Sequence, residues 1–299
     1  MELKSPILQI IPMELRDAQQ DGNLVVFAGA GVSRDEPSGL PNFRRLTEEL
    51  ASRAGYDLNL DDGRPLDQHL GELAKKNSNL HTWTKDIFSN PDSKPNGYHK
   101  SLPRLFSRPE DVKIVTTNYD THLSTAARAE PLNVGRIEVF CAPALPLGRC
   151  FSGIVHIHGS AHQEADRLIL TDEDFGKAYM TDGWARRFLI SMFANYHVLF
   201  IGYSHEDLML TYLARGLFPG SRRYALCTTD KGDRWRNLGV QPIDYARTEG
   251  EPAHSAALVS RQHDIIGHVI DFRNCLRYIC ANKEVVDEKV HRSIIEGGA

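Results

Sequence analysis

Residues 24–33 constrain the fold of this chain more than any other stretch. They read LVVFAGAGVS, an apolar run that ends in two closely spaced glycines and a hydroxyl group. An apolar run bounded by glycine predicts a buried strand, and small residues at its carboxyl end let the backbone approach a phosphate. The spacing is not a full G-x-G-x-x-G, because the glycine after Gly31 is Gly39. The stretch therefore predicts either the floor of a nucleotide site or a tight turn between a strand and a helix.

The composition is that of an ordinary globular protein. Of the 299 residues, 41% are hydrophobic and 25% are charged, and the net charge of -4 argues against nucleic acid as the main ligand. The N-terminal residues MELKSP resemble no leader, and no membrane span is visible, so we expect a cytoplasmic protein. The five cysteines form no C-x-x-C pair, which predicts reduced thiols and no structural zinc.

Four apolar runs predict strands, and a cluster of small and polar residues follows each of them. Helices are predicted between these strands, so we expect a Rossmann-like α/β fold with a parallel sheet covered by helices on both faces. Ligands of such sheets bind beyond the carboxyl ends of the strands, which places the four clusters at one edge. The four strands with their clusters are 24–28 with 29–33, 112–115 with 116–120, 153–157 with 158–160, and 197–201 with 202–207.

Other segments predict what surrounds this sheet. Residues 57–97 are polar with short helical pieces, which predicts a helical insertion over the site. Short strands are predicted over 137–140, 224–227 and 240–245. The last segment, mainly 256–281, predicts a helical tail whose apolar positions need a surface to bury against.

The four clusters suggest a division of roles around a bound ligand. Backbone N–H groups and the hydroxyl in Gly29, Ala30, Gly31 and Ser33 suit a pyrophosphate near a helix start. The segment Gly202–Ser204 repeats the small-residue and hydroxyl pattern, which suits a ribose or a second phosphate.

Polar side chains on the middle strands suit the chemistry. Asn118 and Asp120 can hold an amide or orient a water, although Asp120 also fits a helix cap. His158 can exchange a proton near neutral pH, whereas His156 is interpreted as packing or as support behind the site. The run 205–207 also fits a helix cap, and no metal is assigned to it.

The strand-end clusters contain short motifs, and one more motif follows the first of them. The motifs are GAGVS at 29–33, GLPNFR at 39–44, TTNYD at 116–120, HG at 158–159 and GYS at 202–204. Taken together, these motifs resemble the sirtuin (SIR2) family and, more closely, its bacterial SIR2-like branch of NAD-consuming anti-phage effectors. The resemblance covers about residues 10–250, with the motifs in the family's order.

The resemblance implies roles for individual residues. The diphosphate of NAD+ would lie at 29–33, while Asn42 stands where the family has an aspartate near the nicotinamide ribose. Asn118 and Asp120 match nicotinamide-side residues, and His158 matches the catalytic histidine. The remaining cofactor-binding residues that we expect from these motifs are Phe43, Arg44, Thr116, Gly202 and Ser204.

The family is known both for NAD+ hydrolysis and for NAD-dependent deacylation of lysine. Deacylases usually carry a zinc module held by four cysteines in two pairs, and this sequence has no such pairs. We therefore expect an NAD+ hydrolase that acts in anti-phage defence, with a protein-lysine deacylase and a non-catalytic NAD or ADP-ribose-binding module as alternatives.

The resemblance also implies that this NAD+ hydrolase would be toxic and must be held inactive until it is activated. We expect a homo-oligomer or an activating protein partner, such as an ATPase or a nucleic-acid-guided protein, with no membrane contact and no direct binding of nucleic acid. The predicted units are a catalytic domain over 1–250 and a helical extension over 251–299.

Overall fold

The structure is a computed structural model, and it describes residues 11–129, 137–203, 222–228 and 231–245, with the helical residues 211, 215 and 216. The predicted tail over 256–281, the run 205–207 and Ser204 lie outside the described residues.

Parallel strands and intervening helices alternate along the described chain, as the sequence predicts. The strands are β1 (Leu24–Ala28), β2 (Lys113–Thr116), β3 (Val139–Cys141), β4 (Gly153–His156), β5 (His197–Ile201), β6 (Arg223–Thr228) and β7 (Gln241–Tyr245). The helices are α1 (Met13–Gln20), α2 (Phe43–Arg53), α3 (Leu66–Lys76), α4 (Leu80–Phe88), α5 (Gly97–Ser101), α6 (His122–Ala129), α7 (Asp172–Gly176), α8 (Trp184–Asn195) and α9 (Gly232–Arg236).

The seven strands form one sheet in the order β3-β4-β2-β1-β5-β6-β7, and every described pair is parallel. The register is level at the carboxyl ends: Ala28 pairs with Thr116 and with Ile201, and Thr116 pairs with His156. The segments that follow β1, β2, β4 and β5 therefore begin at one edge of the sheet, which confirms the predicted α/β fold.

Alternating side chains of β1 supply the two halves of the core. Val26 packs with Ile114 and with residues of α1, α5 and α6 on one face, while Phe27 packs with Val155 and with α8 on the other. All five β1 residues are buried because helices cover both faces of the sheet. This double burial explains why the strand reads as a continuous apolar run.

Residues 57–97 contain the helices α3 and α4, as predicted, and a third hydrophobic cluster holds them against α2. Leu46 and Leu50 of α2 pack in this cluster with Leu70, Leu73 and Leu80. The cluster also contains Tyr119, which follows β2. The insertion is thereby held beside the carboxyl edge of the sheet.

Residues 98–106 do not form one continuous helix. Helix α5 ends at Ser101, and a separate 3₁₀ turn covers Pro103–Leu105. Pro103 has no backbone N–H to continue the helical ladder, and it is tolerated as the first residue of a new turn.

Gly31 lies where two strand-end loops cross. A Cβ atom at Gly31 would lie 2.7 Å from the carbonyl oxygen of Gly202 and 2.8 Å from its Cα. We expect Gly31→Ala to lower the free energy of unfolding by about 2–3 kcal/mol, because neither backbone can move aside without distorting the sheet. The measurement is chemical denaturation of the purified chain.

Gly176→Ala is the matched control for that substitution. Gly176 is helical, and a Cβ atom there would meet nothing within 4 Å. The same exchange should therefore raise the free energy of unfolding by about 0.5–1 kcal/mol. Equal effects of the two substitutions would show that the crossing of the loops does not depend on Gly31.

Candidate functional site

A cavity opens at the carboxyl edge of the sheet, beyond β1, β2 and β4. The insertion covers one side of it through Leu66, Asp67 and Phe88. Its other lining residues are Ala30, Ser33, Pro41, Asn42, Phe43, Leu46, Thr117, Asn118, Tyr119, Asp120, His158, Phe175 and Tyr203. Residues from separate predicted motifs therefore meet in one place.

The structure divides the predicted site residues into two groups. The cavity is lined by seven of them: Ala30, Ser33, Asn42, Phe43, Asn118, Asp120 and His158. Five other described residues from the prediction are not among its lining residues: Gly29, Gly31, Arg44, Thr116 and Gly202.

We expected Gly29 and Gly31 to offer backbone N–H groups to a diphosphate, but in the structure both groups donate to backbone carbonyls. The N–H of Gly29 donates to the carbonyl of Ile201 at 3.0 Å, and that of Gly31 donates to the carbonyl of Gly202 at 2.7 Å. Gly202 has φ +63°, and a Cβ atom on it would lie 2.6 Å from the nitrogen of Val32. The three glycines thus let two backbones approach closely, as such crossings require.

Thr116 and Arg44 also have roles other than those predicted. Thr116 is buried, and its Oγ1 donates to the carbonyl of Ala28 at 2.9 Å, so it ties β2 to β1 while Thr117 lines the cavity. The guanidinium of Arg44 donates to the carbonyl of Leu60 at 3.3 Å and pairs with Asp61 at 3.2 Å. Arg44 therefore contacts the insertion rather than lining the cavity.

Asn42 begins α2 at the cavity wall. Its side chain accepts a hydrogen bond from the backbone N–H of Arg45 at 3.0 Å, as a helix cap does. The first turn of α2 presents the positive end of its helix dipole at this wall, and Phe43 follows directly. This end of the cavity is suited to an anionic group.

The Ser33 hydroxyl is fully used by protein groups. It donates to Asp120 Oδ2 at 2.8 Å, accepts from Asn118 Nδ2 at 3.0 Å, and contacts His99 Nε2 at 3.0 Å. A hydroxyl offers one donor and two acceptor positions, and all three are engaged. We expected this hydroxyl to bind a phosphate, but in the structure it joins the side chains of Asp120, Asn118 and His99.

Asn118 is held by both hydrogens of its amide nitrogen. Nδ2 donates to the carbonyl of Gly29 at 3.2 Å and to Ser33 Oγ at 3.0 Å. Because both partners accept, the network fixes which end of the amide is nitrogen. The polar atom of this side chain that remains for a ligand is Oδ1, which no hydrogen bond from a described residue reaches.

Asp120 lies between Ser33 and α6. Its Oδ1 accepts the backbone N–H of His122 at 3.0 Å, so it caps α6, and its Oδ2 accepts from Ser33. The alternative role predicted for Asp120, a helix cap, therefore uses only one of its two carboxylate oxygens. Behind it, His156 Nδ1 contacts the carbonyl of Asn118 at 3.1 Å, which agrees with a supporting position for His156.

His158 is buried at the end of β4 among aromatic side chains. Its Nε2 lies 2.8 Å from the hydroxyl of Tyr179, and its ring meets Phe175 edge to face, with 5.0 Å between the centroids. Burial lowers the pKa of His158 to about 3, so the imidazole is neutral at physiological pH. A neutral ring can accept a hydrogen bond without bringing a positive charge into the cavity.

Several cavity residues were not predicted from the sequence. Thr117 and Tyr119 alternate with the predicted residues of the TTNYD segment, and Tyr203 follows Gly202. A motif search that includes every residue of a strand-end segment would have found these three. Phe88 and Phe175 come from helices whose placement depends on tertiary packing, which single-sequence patterns do not encode.

The geometry defines a class: a parallel α/β protein whose polar side chains meet beyond the carboxyl ends of its central strands. Residues 112–243 match the family model of the SIR2-like domain, so the chain contains a SIR2-like domain, as the resemblance predicts. The matched range includes Asn118, Asp120 and His158 and begins after the glycine-rich loop. A SIR2-like domain indicates an activity related to NAD+.

The proteins that are similar to this chain include a curated relative and a solved structure. A curated relative from Sinorhizobium fredii, recorded as uncharacterized protein y4cA, is 26% identical over 280 residues, which cover 81% of this chain. The chain spans only 22% of that relative's own length. A solved structure, described as "Structural Basis for the Mechanism and Regulation of Sir2 Enzymes", aligns at 14% identity with a TM-score of 0.40, over 90% of this chain and 100% of its own.

Among the residues that the structure describes, no helix is both long enough and apolar enough to cross a lipid bilayer.

Proposed function

We propose that this domain hydrolyses NAD+ to nicotinamide and ADP-ribose. The observation that carries the proposal is that Asn118 and His158, from the ends of neighbouring strands, line the same cavity. One supplies an amide oxygen that can orient a water, and the other supplies a neutral imidazole that can accept a hydrogen bond from the substrate.

Cleavage of the bond between nicotinamide and ribose develops positive charge at the anomeric carbon. In the proposed mechanism, Asn118 Oδ1 accepts a hydrogen bond from water and directs an oxygen lone pair at that carbon. The water forms the new carbon–oxygen bond, nicotinamide leaves with the electron pair of the broken carbon–nitrogen bond, and one proton is released.

His158 acts on the ribose in this mechanism. Burial keeps its ring neutral, so no imidazolium charge opposes the cationic transition state. The edge-to-face contact with Phe175 and the hydrogen bond with Tyr179 fix the plane of the ring. We propose that His158 accepts a hydrogen bond from a ribose hydroxyl and acts there as a general base that shares the proton without taking it fully, so the ring gains little positive charge.

Phe43, Phe175 and Tyr203 are three of the aromatic residues in the cavity wall. We propose that they bind the nicotinamide ring, whose flat apolar faces suit aromatic neighbours. The diphosphate would then lie toward Asn42 and the first turn of α2, where the helix dipole favours negative charge. Of the glycine-rich loop, Ala30 and Ser33 line the cavity in which the substrate would lie.

Hydrolysis is favoured over lysine deacylation by the cysteine pattern of the full sequence, which has no C-x-x-C pair for the zinc module typical of sirtuin deacylases. The test is to incubate the purified chain with NAD+, with and without an acylated peptide. Equal amounts of nicotinamide and ADP-ribose, formed without peptide, would support hydrolysis. O-acyl-ADP-ribose formed only with peptide would contradict it.

We further propose that the activity is controlled by assembly or by a partner protein, and that it serves in anti-phage defence. The chain matches about a fifth of its Sinorhizobium relative, which leaves most of that relative for other domains. The NAD+ assay therefore includes a series of protein concentrations, since self-assembly would make the specific activity rise with concentration.

A further inference from the structure

We infer that His99 is a positioning residue for Asn118 and acts on it through the hydroxyl of Ser33. His99 belongs to α5, outside every strand-end segment, and its side chain is buried. It contacts Ser33 Oγ through Nε2 at 3.0 Å, and that oxygen accepts from Asn118 Nδ2. The catalytic consequence of this arrangement rests on the proposed function.

The tautomer of His99 follows from its other ring nitrogen. Nδ1 accepts the backbone N–H of Asn96 at 3.1 Å, in a capping box at the start of α5. A ring nitrogen that accepts carries no proton, so the proton of a neutral ring must be on Nε2. Burial, which lowers the pKa of His99 to about 4, keeps the ring in this neutral form.

The donation from His99 determines what Ser33 can offer to Asn118. With its proton given to Asp120 and one lone pair given to His99, the hydroxyl has only a lone pair left. Only the NH₂ end of the Asn118 amide can face a lone pair favourably. A reversed amide would direct its oxygen at this lone pair and at the carbonyl of Gly29, and both contacts would be repulsive.

Helix α5 holds the same loop through a second residue. Asn96 Nδ2 donates to the carbonyls of Val32 at 2.8 Å and of Asp35 at 3.2 Å, on either side of Ser33. These two hydrogen bonds hold the loop in addition to the contact between His99 and Ser33. A substitution at His99 that keeps an acceptor for the Asn96 N–H therefore tests the hydrogen bond to Ser33 without releasing the loop.

Two substitutions separate the two nitrogens of His99. In His99→Asn the amide oxygen takes the place of Nδ1, so the cap on Asn96 is kept and the donor to Ser33 is lost. In His99→Gln the amide nitrogen takes the place of Nε2, so the donor is kept and the cap is lost. If His99 has only a structural role, His99→Asn lowers turnover less than His99→Gln does, because it keeps the cap on Asn96. If His99 positions Asn118, His99→Asn lowers turnover more than His99→Gln does.

The experiment measures kcat and KM for NAD+, together with Tm, in full-length wild type and in both variants. We expect His99→Asn to lower kcat by about 10²-fold at similar KM, because the water-directing oxygen of Asn118 is misplaced. We expect His99→Gln to retain kcat within about threefold and to have the lower Tm. If His99→Asn retains wild-type kcat, or if kcat follows Tm across the variants, the inference is overturned.

A second measurement does not depend on turnover. Nitrogen-15 NMR of the histidine rings should show His99 with its proton on Nε2, and the side-chain NH₂ of Asn118 should exchange more slowly in wild type and His99→Gln than in His99→Asn. A proton on Nδ1, or equal exchange in all three proteins, overturns the inference. If wild type leaves NAD+ intact at every protein concentration, the chain alone is not an active hydrolase, and these NMR results still decide the role of His99.

Discussion

Replacing His158 with alanine is expected to lower kcat for NAD+ hydrolysis by about 10²–10⁴-fold, the usual contribution of a general base. The imidazole lines the cavity and is held by Tyr179 and Phe175, so its removal takes away the proposed acceptor at the ribose. The measurement is the release of nicotinamide by variant and wild type at equal protein concentration. Circular dichroism verifies that the variant remains folded.

His162→Ala is the matched control for this substitution. His162 lies in the loop that follows His158, is exposed, and is not among the lining residues. Its removal should leave kcat unchanged. Full activity in His158→Ala, or equal losses in the two variants, would contradict the assignment of His158.

The pH profile gives an independent test of His158. Because its pKa is lowered to about 3, the ring stays neutral from about pH 5.5 to 8 and its ability to accept a proton does not change there. A histidine of ordinary pKa would lose activity on acidification through about pH 6.5. We expect kcat/KM to show no such loss, and an acid limb near pH 6.5 that disappears in His158→Gln would contradict the neutral buried ring.

Asn118→Asp is expected to abolish detectable hydrolysis and to lower the free energy of unfolding by about 2–4 kcal/mol. The substitution keeps the size of the side chain but replaces two donated hydrogens by oxygen lone pairs. The new oxygen would face the carbonyl of Gly29 and the hydroxyl of Ser33, which already donates to the neighbouring carboxylate of Asp120. The measurements are denaturation and NAD+ turnover.

Asn90→Asp controls for the added negative charge. Asn90 is exposed in a loop, and its Oδ1 accepts the backbone N–H of Asp92 at 3.0 Å, a contact that aspartate can keep. This variant should match wild type in stability within about 0.5 kcal/mol, as surface substitutions usually do. An Asn118→Asp protein as stable and active as Asn90→Asp would show that the amide is not held as described.

The sheet was predictable because its central strands are buried on both faces. Because both faces are buried, β1 and β5 appear in the sequence as continuous apolar runs, and the helices between the strands imply parallel pairing. Strand direction alone then placed Asn118 and His158 at the same edge. The SIR2-like resemblance rests on residues at that edge, and the family match over 112–243 confirms it.

The errors in the predicted site come from side-chain direction and from backbone partners. Whether Thr116 or Thr117 lines the cavity depends on the residue at which β2 ends, and a shift of one residue reverses the direction of the side chain. The glycine loop was predicted to offer free N–H groups, but those of Gly29 and Gly31 donate to carbonyls at the end of β5 and in the loop that follows it. His99 was missed because it reaches Ser33 from a helix 66 residues further along the chain.

The central claim is that Asn118 and His158 act on the anomeric carbon of NAD+ in this cavity, and a crystal structure of His158→Ala with NAD+ bound tests it most directly. The account predicts the nicotinamide ring among Phe43, Phe175 and Tyr203, and a water on Asn118 Oδ1 at about 3–3.5 Å from the anomeric carbon. Adenine in place of nicotinamide in this cavity, or an anomeric carbon beyond the reach of a water on Asn118, would contradict it.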